Sequence, residues 1–125
     1  MTVLVDSDIV IEVTRGNRSI LHSWIQLSES EDIVLYSPVT EAELWAGARP
    51  HEYSALTELF VKLVCVPIDR GIGRRAGEYL RHYRKSHGLQ MADALIASAA
   101  ALNQAALWTR NRRHYPMKDF SFYSP

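Results

Sequence analysis

Four short apolar runs, Val3-Leu4-Val5, Ile33-Val34-Leu35-Tyr36, Leu63-Val64-Cys65-Val66 and Ala105-Ala106-Leu107-Trp108, punctuate this chain. Each is too short for a helix, and the stretches between them repeat their apolar residues with helical spacing. Strands that alternate with helices lie parallel, because parallel neighbours need a crossover connection. The order therefore predicts an α/β fold, a three-layer sandwich around a mainly parallel central sheet. In such sheets functional groups gather outside the carboxyl ends of the strands. Three of the runs lead toward such groups: the first into Asp6-Ser7-Asp8, the second toward Glu41 and Glu43, and the last into Thr109-Arg110-Asn111.

The periodicity fills in the rest. A helix from about Ser7 to Arg15 ends at Gly16, and Asn17 caps a second helix with Ile20, Leu21, Trp24 and Leu27 on one face. A helix starting near Pro38 to Thr40 runs to about Ala48. After Pro50 another shows Leu56, Leu59, Phe60 and Leu63 at the spacing of a buried face. Residues 64–68 are strand-like. From Asp69 a long helix sets Ile72, Ala76, Tyr79, Leu80 and Tyr83 on one side, with Arg74, Arg75, Arg81, Arg84 and Lys85 among its other positions, and Gly88 stops it. An alanine-rich helix from Met91 to about Asn103 precedes the last strand.

At 125 residues and 47% hydrophobic content, the chain is expected to form a single domain over residues 1–125. It has no apolar span of membrane-crossing length and no basic-then-apolar leader, so a cytoplasmic protein is expected. Cys65 is the lone cysteine. It allows no disulfide within the chain and no cysteine zinc site, and its apolar neighbours predict a buried structural thiol. The zero net charge conceals a division: residues 1–65 carry 10 Asp and Glu against 4 Lys and Arg, and residues 66–125 carry 4 against 10. Either the halves pair across the fold, or a cation site lies beside a surface for a polyanion.

Each acidic residue has a structural reading beside a chemical one. Asp6 can cap the helix that follows it. Asp8, two residues on, repels Asp6 unless a cation or donors intervene. Thr40 and Glu43 match a capping box, and Glu41 is expected to face solvent near a helix start. Asp93 opens an otherwise apolar helix, where a carboxylate at the core edge needs a partner. If these sites meet, they form an all-oxygen ligand cluster suited to Mg2+ or Mn2+, ions that activate water and neutralise phosphoryl charge. The basic loop Thr109-Arg110-Asn111-Arg112-Arg113-His114 could then bind phosphate through its guanidinium forks, or could simply be a solvated turn.

Read together, Val3-Leu4-Val5-Asp6-Ser7-Asp8 with Glu12 and Arg15-Gly16, Ser37-Pro38-Val39-Thr40-Glu41-Ala42-Glu43-Leu44-Trp45-Ala46-Gly47, Ala92-Asp93-Ala94-Leu95-Ile96-Ala97 and Thr109 to Tyr115 resemble the PIN-domain nucleases. The closest likeness is to the VapC-type toxins of toxin-antitoxin pairs. The resemblance implies a magnesium-dependent endoribonuclease that leaves a 5′-phosphate and a 3′-hydroxyl. It assigns Asp6 and Asp93 as metal ligands and Glu43, rather than Glu41, as the catalytic glutamate. Asn111 stands where many relatives carry a fourth acid, and Asp8 where many carry asparagine, so Asp8 could restore the charge lost at Asn111. Thr109 and Asp8 are supporting candidates, and Arg110, Arg112 and Arg113 are candidate RNA contacts. The resemblance also implies a homodimer and a small VapB-like antitoxin, for which Trp24, Trp45, Tyr53 and Phe60 offer groove candidates. Two rivals remain: a PIN-like module that binds RNA with little cleavage, and an Asp-x-Asp phosphatase built on Asp6 and Asp8.

Overall fold

The computed structural model describes residues 1–125. Its centre is a four-stranded sheet of β1 (Thr2–Val5), β2 (Ile33–Tyr36), β3 (Val64–Cys65) and β4 (Ala106–Trp108), ordered β3-β2-β1-β4. All three pairings are parallel, with Val3 opposite both Val34 and Ala106. Alternation along the strands splits the apolar residues between two faces. Leu4, Leu35 and Leu107 join a core formed with α5 (Arg70–His87) and α6 (Met91–Leu102). Val3, Val5, Tyr36 and Trp108 face α1 (Ser7–Thr14), α2 (Arg18–Glu29), α3 (Pro38–Gly47) and α4 (Tyr53–Val61). This is the three-layer α/β/α sandwich that the strand–helix alternation predicts.

The strand order positions the site. The chain steps from β1 to β2 to β3 in one direction and then returns to place β4 on the other side of β1. That reversal opens a crevice beyond the carboxyl ends of β1 and β4, the place where open parallel sheets hold ligands. Asp6 follows β1 directly and Thr109 follows β4 directly, and the amide of Asp6 donates to the Trp108 carbonyl at 2.9 Å.

Local chemistry sets most helix ends. Asn17 Oδ1 caps α2 by accepting from the Ile20 amide at 3.2 Å, Asp69 Oδ1 caps α5 through Ile72 at 2.9 Å, and Gly88 ends α5 with a φ of 64°. Three expectations need correction. Ser37, not Thr40, caps α3: its hydroxyl accepts from the Val39 amide at 3.1 Å, and Pro38 fills the first helical position, where its missing N–H costs nothing. The third strand covers only Val64–Cys65, because Pro67 cannot extend a ladder. Cys65 is exposed rather than buried, since this two-residue strand is the sheet edge and its flank faces outward. The other edge is covered, with Leu107 bonded to Ser121 and Tyr123 of the C-terminal segment. No helix is long and apolar enough to cross a membrane.

Candidate active site

Asp6 does two jobs at once. Its Oδ1 caps α1 by accepting from the Ser7 amide at 2.8 Å, and its Oδ2 accepts from Thr109 Oγ1 at 2.8 Å and Tyr115 Oη at 2.7 Å. The capping role therefore leaves one oxygen turned into the crevice. Three donors satisfy this buried carboxylate and fix it in place.

Next to it Ser7 reaches across to α3. Its hydroxyl lies 3.0 Å from Thr40 Oγ1 and 2.8 Å from Glu43 Oε1, so Ser7 joins the first strand end to the glutamate. The capping-box reading of Glu43 thus fails, because the residue bonds across the site instead of back to its own helix start. Glu41 does not face solvent either. It is half-buried and accepts from Tyr36 Oη at 2.8 Å and Trp45 Nε1 at 3.2 Å, which makes it a structural acid.

Asp8, in the first turn of α1, faces the loop after β4. Its Oδ2 accepts from the Arg110 amide at 2.9 Å and from Asn111 Nδ2 at 3.0 Å, with Thr109 Oγ1 at 3.5 Å. Its Oδ1 is buried and has no hydrogen-bond partner. An unpaired buried carboxylate oxygen costs free energy and marks a place where a cation or a donor would be welcome. Burial holds Asp8 above its ordinary value, the neighbouring Asp6 charge adds to this, and the amides of Arg110 and Ile9 oppose it.

Asp93, in the first turn of α6, completes the cluster. Its carboxylate meets Tyr115 Oη at 3.4 Å, the same hydroxyl that binds Asp6. Burial raises its pKa first and the charge of Asp6 second, while His114 and Tyr115 pull it down and Glu43 pushes it up again. Hydrogen bonds through Ser7, which follows Asp6 and binds Glu43, and through Tyr115, which binds Asp6 and Asp93, gather the three acids around one crevice. Burial and then Asp6 hold the Tyr115 hydroxyl well above the ordinary phenol range, so it stays a donor. As the side chains stand, no three acidic, histidine or cysteine groups close into one metal-holding set.

A family model for the PIN domain matches residues 3–119. The chain belongs to the PIN-domain family. It is 34% identical over 115 residues to Ribonuclease VapC19 of Mycobacterium tuberculosis, spanning 91% of this chain and 92% of that one. It is also 34% identical over 116 residues to Ribonuclease VapC10 of the same organism, spanning 92% and 86%. These likenesses place it in the VapC-type branch. Its fold matches a VapBC2 structure from Rickettsia felis with a TM-score of 0.80 at 20% identity, over 98% of both chains. It matches VapBC-1 from nontypeable Haemophilus influenzae with a TM-score of 0.80 at 22% identity, over 98% and 97%. Family membership sets aside the Asp-x-Asp phosphatase.

Within this PIN domain Asp6, Asp8, Glu43, Asp93, Thr109 and Asn111 do converge. The basic loop is divided. Arg110 Nη1 pairs with Glu12 Oε1 at 3.2 Å, and Arg112 lies 5.1 Å over the Phe122 ring and donates to Ser124 Oγ at 2.7 Å. These two arginines pin α1 and the C-terminal segment, which leaves Arg113 as the loop arginine without a side-chain partner. Ser7 and Tyr115 are the positioning residues that a reading of strand ends passes over. The Ser7 signal was adjacency to Asp6; Tyr115 only closed the last motif of the resemblance, with nothing to link it to partners 109 and 22 positions away.

Proposed function

We propose that this PIN domain is the toxin of a toxin-antitoxin pair, a metal-dependent endoribonuclease. The observation that carries the reading is the meeting of Asp6, Asp8, Glu43 and Asp93 at the β1–β4 crevice, with the Asp8 Oδ1 oxygen buried and unpaired. The donors are all oxygens, which suits Mg2+ or Mn2+ over softer ions. Asp6 and Asp93 would hold the ion with help from Asp8, and water would complete the set, since Mg2+ keeps much of its hydration. Such an ion, when bound, supplies charge neutralisation at phosphate and a more acidic water.

The chain's own residues do the rest. Glu43, steered by Ser7, is placed to accept a proton from the attacking water. Asn111, with its amide committed to Asp8, holds that acid in position rather than contacting phosphate, and Arg113 is free to bind the RNA backbone. RNA incubated with the protein and Mg2+ should be cut, and either a chelator or Asp93→Ala should stop the cutting. Chelator-insensitive cleavage, or full activity from Asp6→Ala, refutes the assignment. RNA binding with no cleavage under any divalent ion would instead favour the silent-binder reading.

The antitoxin reading has its own support. Trp24, Ile25, Leu27, Leu59, Leu63 and Val64 line an apolar groove of about 760 Å3 between α2, α4 and the β3 edge, with Asp32, Glu58 and Lys62 also lining it. An amphipathic helix fits such a groove. Of the aromatics expected there only Trp24 takes part, since Phe60 is buried and Trp45 stacks on Tyr53 at 5.4 Å. Homodimer formation, implied by the resemblance, is tested by light scattering.

A further inference from the structure

Tyr115 is 3% exposed and reaches the crevice from the turn that follows β4. Its hydroxyl touches two acids from distant parts of the chain, Asp6 at 2.7 Å and Asp93 at 3.4 Å. The two acids depend on it unequally. Asp6 has further donors in the Ser7 amide and Thr109 Oγ1, whereas no other hydrogen bond reaches the Asp93 carboxylate. A hydroxyl has one proton and two lone pairs. The one proton is shared in a three-centre bond whose short arm goes to Asp6 and whose long, weaker arm goes to Asp93, so the slack lies on the Asp93 side.

We propose that Tyr115 is a positioning residue whose single hydroxyl sets the orientation of Asp93 against the fixed Asp6, joining strand β1, helix α6 and the post-β4 turn at one atom. This rests on the nuclease reading of those acids. Without the hydroxyl Asp6 stays anchored by two donors, while Asp93 is free to rotate away from its like-charged neighbour. Groups that bond to metal-holding side chains commonly alter metal affinity by about 10- to 100-fold when removed.

Tyr115→Phe keeps the ring and deletes only the hydroxyl. Mn2+ uptake by the full chain, followed by loss of the free-ion paramagnetic resonance signal, should weaken by about 10-fold or more. The kcat should fall with little change in KM for RNA. A variant that binds Mn2+ and cuts RNA as the parent does overturns the inference and leaves the acid site standing. A parent chain that takes up no Mn2+ removes the acid-site reading and the inference with it. A thermal cycle in chelator separates positioning from packing. If the hydroxyl serves Asp93, Tyr115→Phe lowers the midpoint less in an Asp93→Ala background, which has no oxygen for it to meet, than in the parent. Equal losses in both backgrounds show a packing role only and overturn the proposal.

Discussion

Neutralising Asp93 should stabilise this protein while destroying its activity. Asp6 Oδ2 and Asp93 Oδ1 both contact Tyr115 Oη, at 2.7 and 3.4 Å, so the two oxygens stand at most about 6 Å apart. Two unit charges at that distance repel by about 3 kcal/mol at an effective dielectric near 20. Asp93 is only half-buried, and solvent screening reduces this to about half. Two losses oppose the gain. A carboxylate in the first turn of α6 gains about 0.3–1 kcal/mol from the helix dipole, and an amide forfeits it. The Tyr115 contact is long for an O–H···O bond, and an asparagine oxygen can keep it. The repulsion wins, leaving about 1 kcal/mol in favour of Asp93→Asn, or a rise of about 4 °C in the unfolding midpoint.

Circular dichroism melts in chelator at pH 7.5 measure this directly, and pH fixes its cause. The folded protein binds the Asp93 proton more tightly than the unfolded chain does, so the stability from protonation is fully present below the ordinary value of 3.8. That contribution is lost as pH rises through the raised folded value. The advantage of Asp93→Asn should therefore be full at neutral pH and shrink as pH falls toward 3.8. Excess Mg2+ should reverse the order, because an ion that binds only the folded parent stabilises it by mass action. A variant less stable than the parent in chelator at pH 7.5, or one whose advantage ignores pH, refutes the crowded-acid account.

Other outcomes follow from the same geometry. Glu43→Gln should lower kcat about 100-fold or more and leave the thermal midpoint near that of the parent, as single-turnover cleavage and melts would show. Ser7→Ala removes a buried hydroxyl that binds Glu43 at 2.8 Å; it should cost about 1 kcal/mol in chemical denaturation and reduce kcat without changing RNA affinity. Ile25→Glu, at an exposed position of the α2–α4 groove, should weaken a groove-bound antitoxin helix by about 10-fold or more in calorimetry while cleavage continues. Replacing Arg84 and Lys85 with Gln should flatten the salt dependence of single-stranded RNA binding by about 0.7 in log–log slope for each cation–phosphate pairing removed.

What the sequence carries, and what it hides, divides by the range of the contact. Asp6 was legible because a strand end and a helix cap are neighbours in the chain, and the structure shows both roles on one carboxylate. Glu43 was singled out by its place after β2 and by the PIN resemblance, against a capping-box reading that does not form: Ser37-Pro38 starts α3 earlier than that reading allows, and Glu43 turns to Ser7. Glu41 read as a surface acid because its position opens a helix, yet that opening sits over the end of β2, where Tyr36 Oη and, one helical turn on, Trp45 Nε1 donate to it. Tyr115 and the Asp8–Asn111 contact were hidden in substance. The pairing of Asp8 with Asn111 at 3.0 Å joins positions 103 apart, and only the placement of β4 beside β1 creates it.

The same placement decides the question posed by charge. If the acidic first half and basic second half existed to bind each other, ion pairs would link them. Of the five pairs formed, Met1–Asp32, Arg15–Glu12, Arg74–Glu78 and Arg75–Asp119 each stay within a half, and only Arg110–Glu12 crosses. The first half's uncompensated charge includes Asp6, Asp8 and Glu43, the groups that crowd the crevice. The second half's includes Arg81, Arg84 and Lys85, exposed on α5, whose carboxyl end connects through Gly88–Gln90 to the helix that carries Asp93. The fold thus leaves these charges unpaired, with the basic end of α5 joined to the acid-bearing α6 by only three residues. On the nuclease reading proposed above, a basic approach to an acidic crevice would attract a polyanion that the crevice alone would repel, and the acids would take a cation before a phosphodiester settled among them.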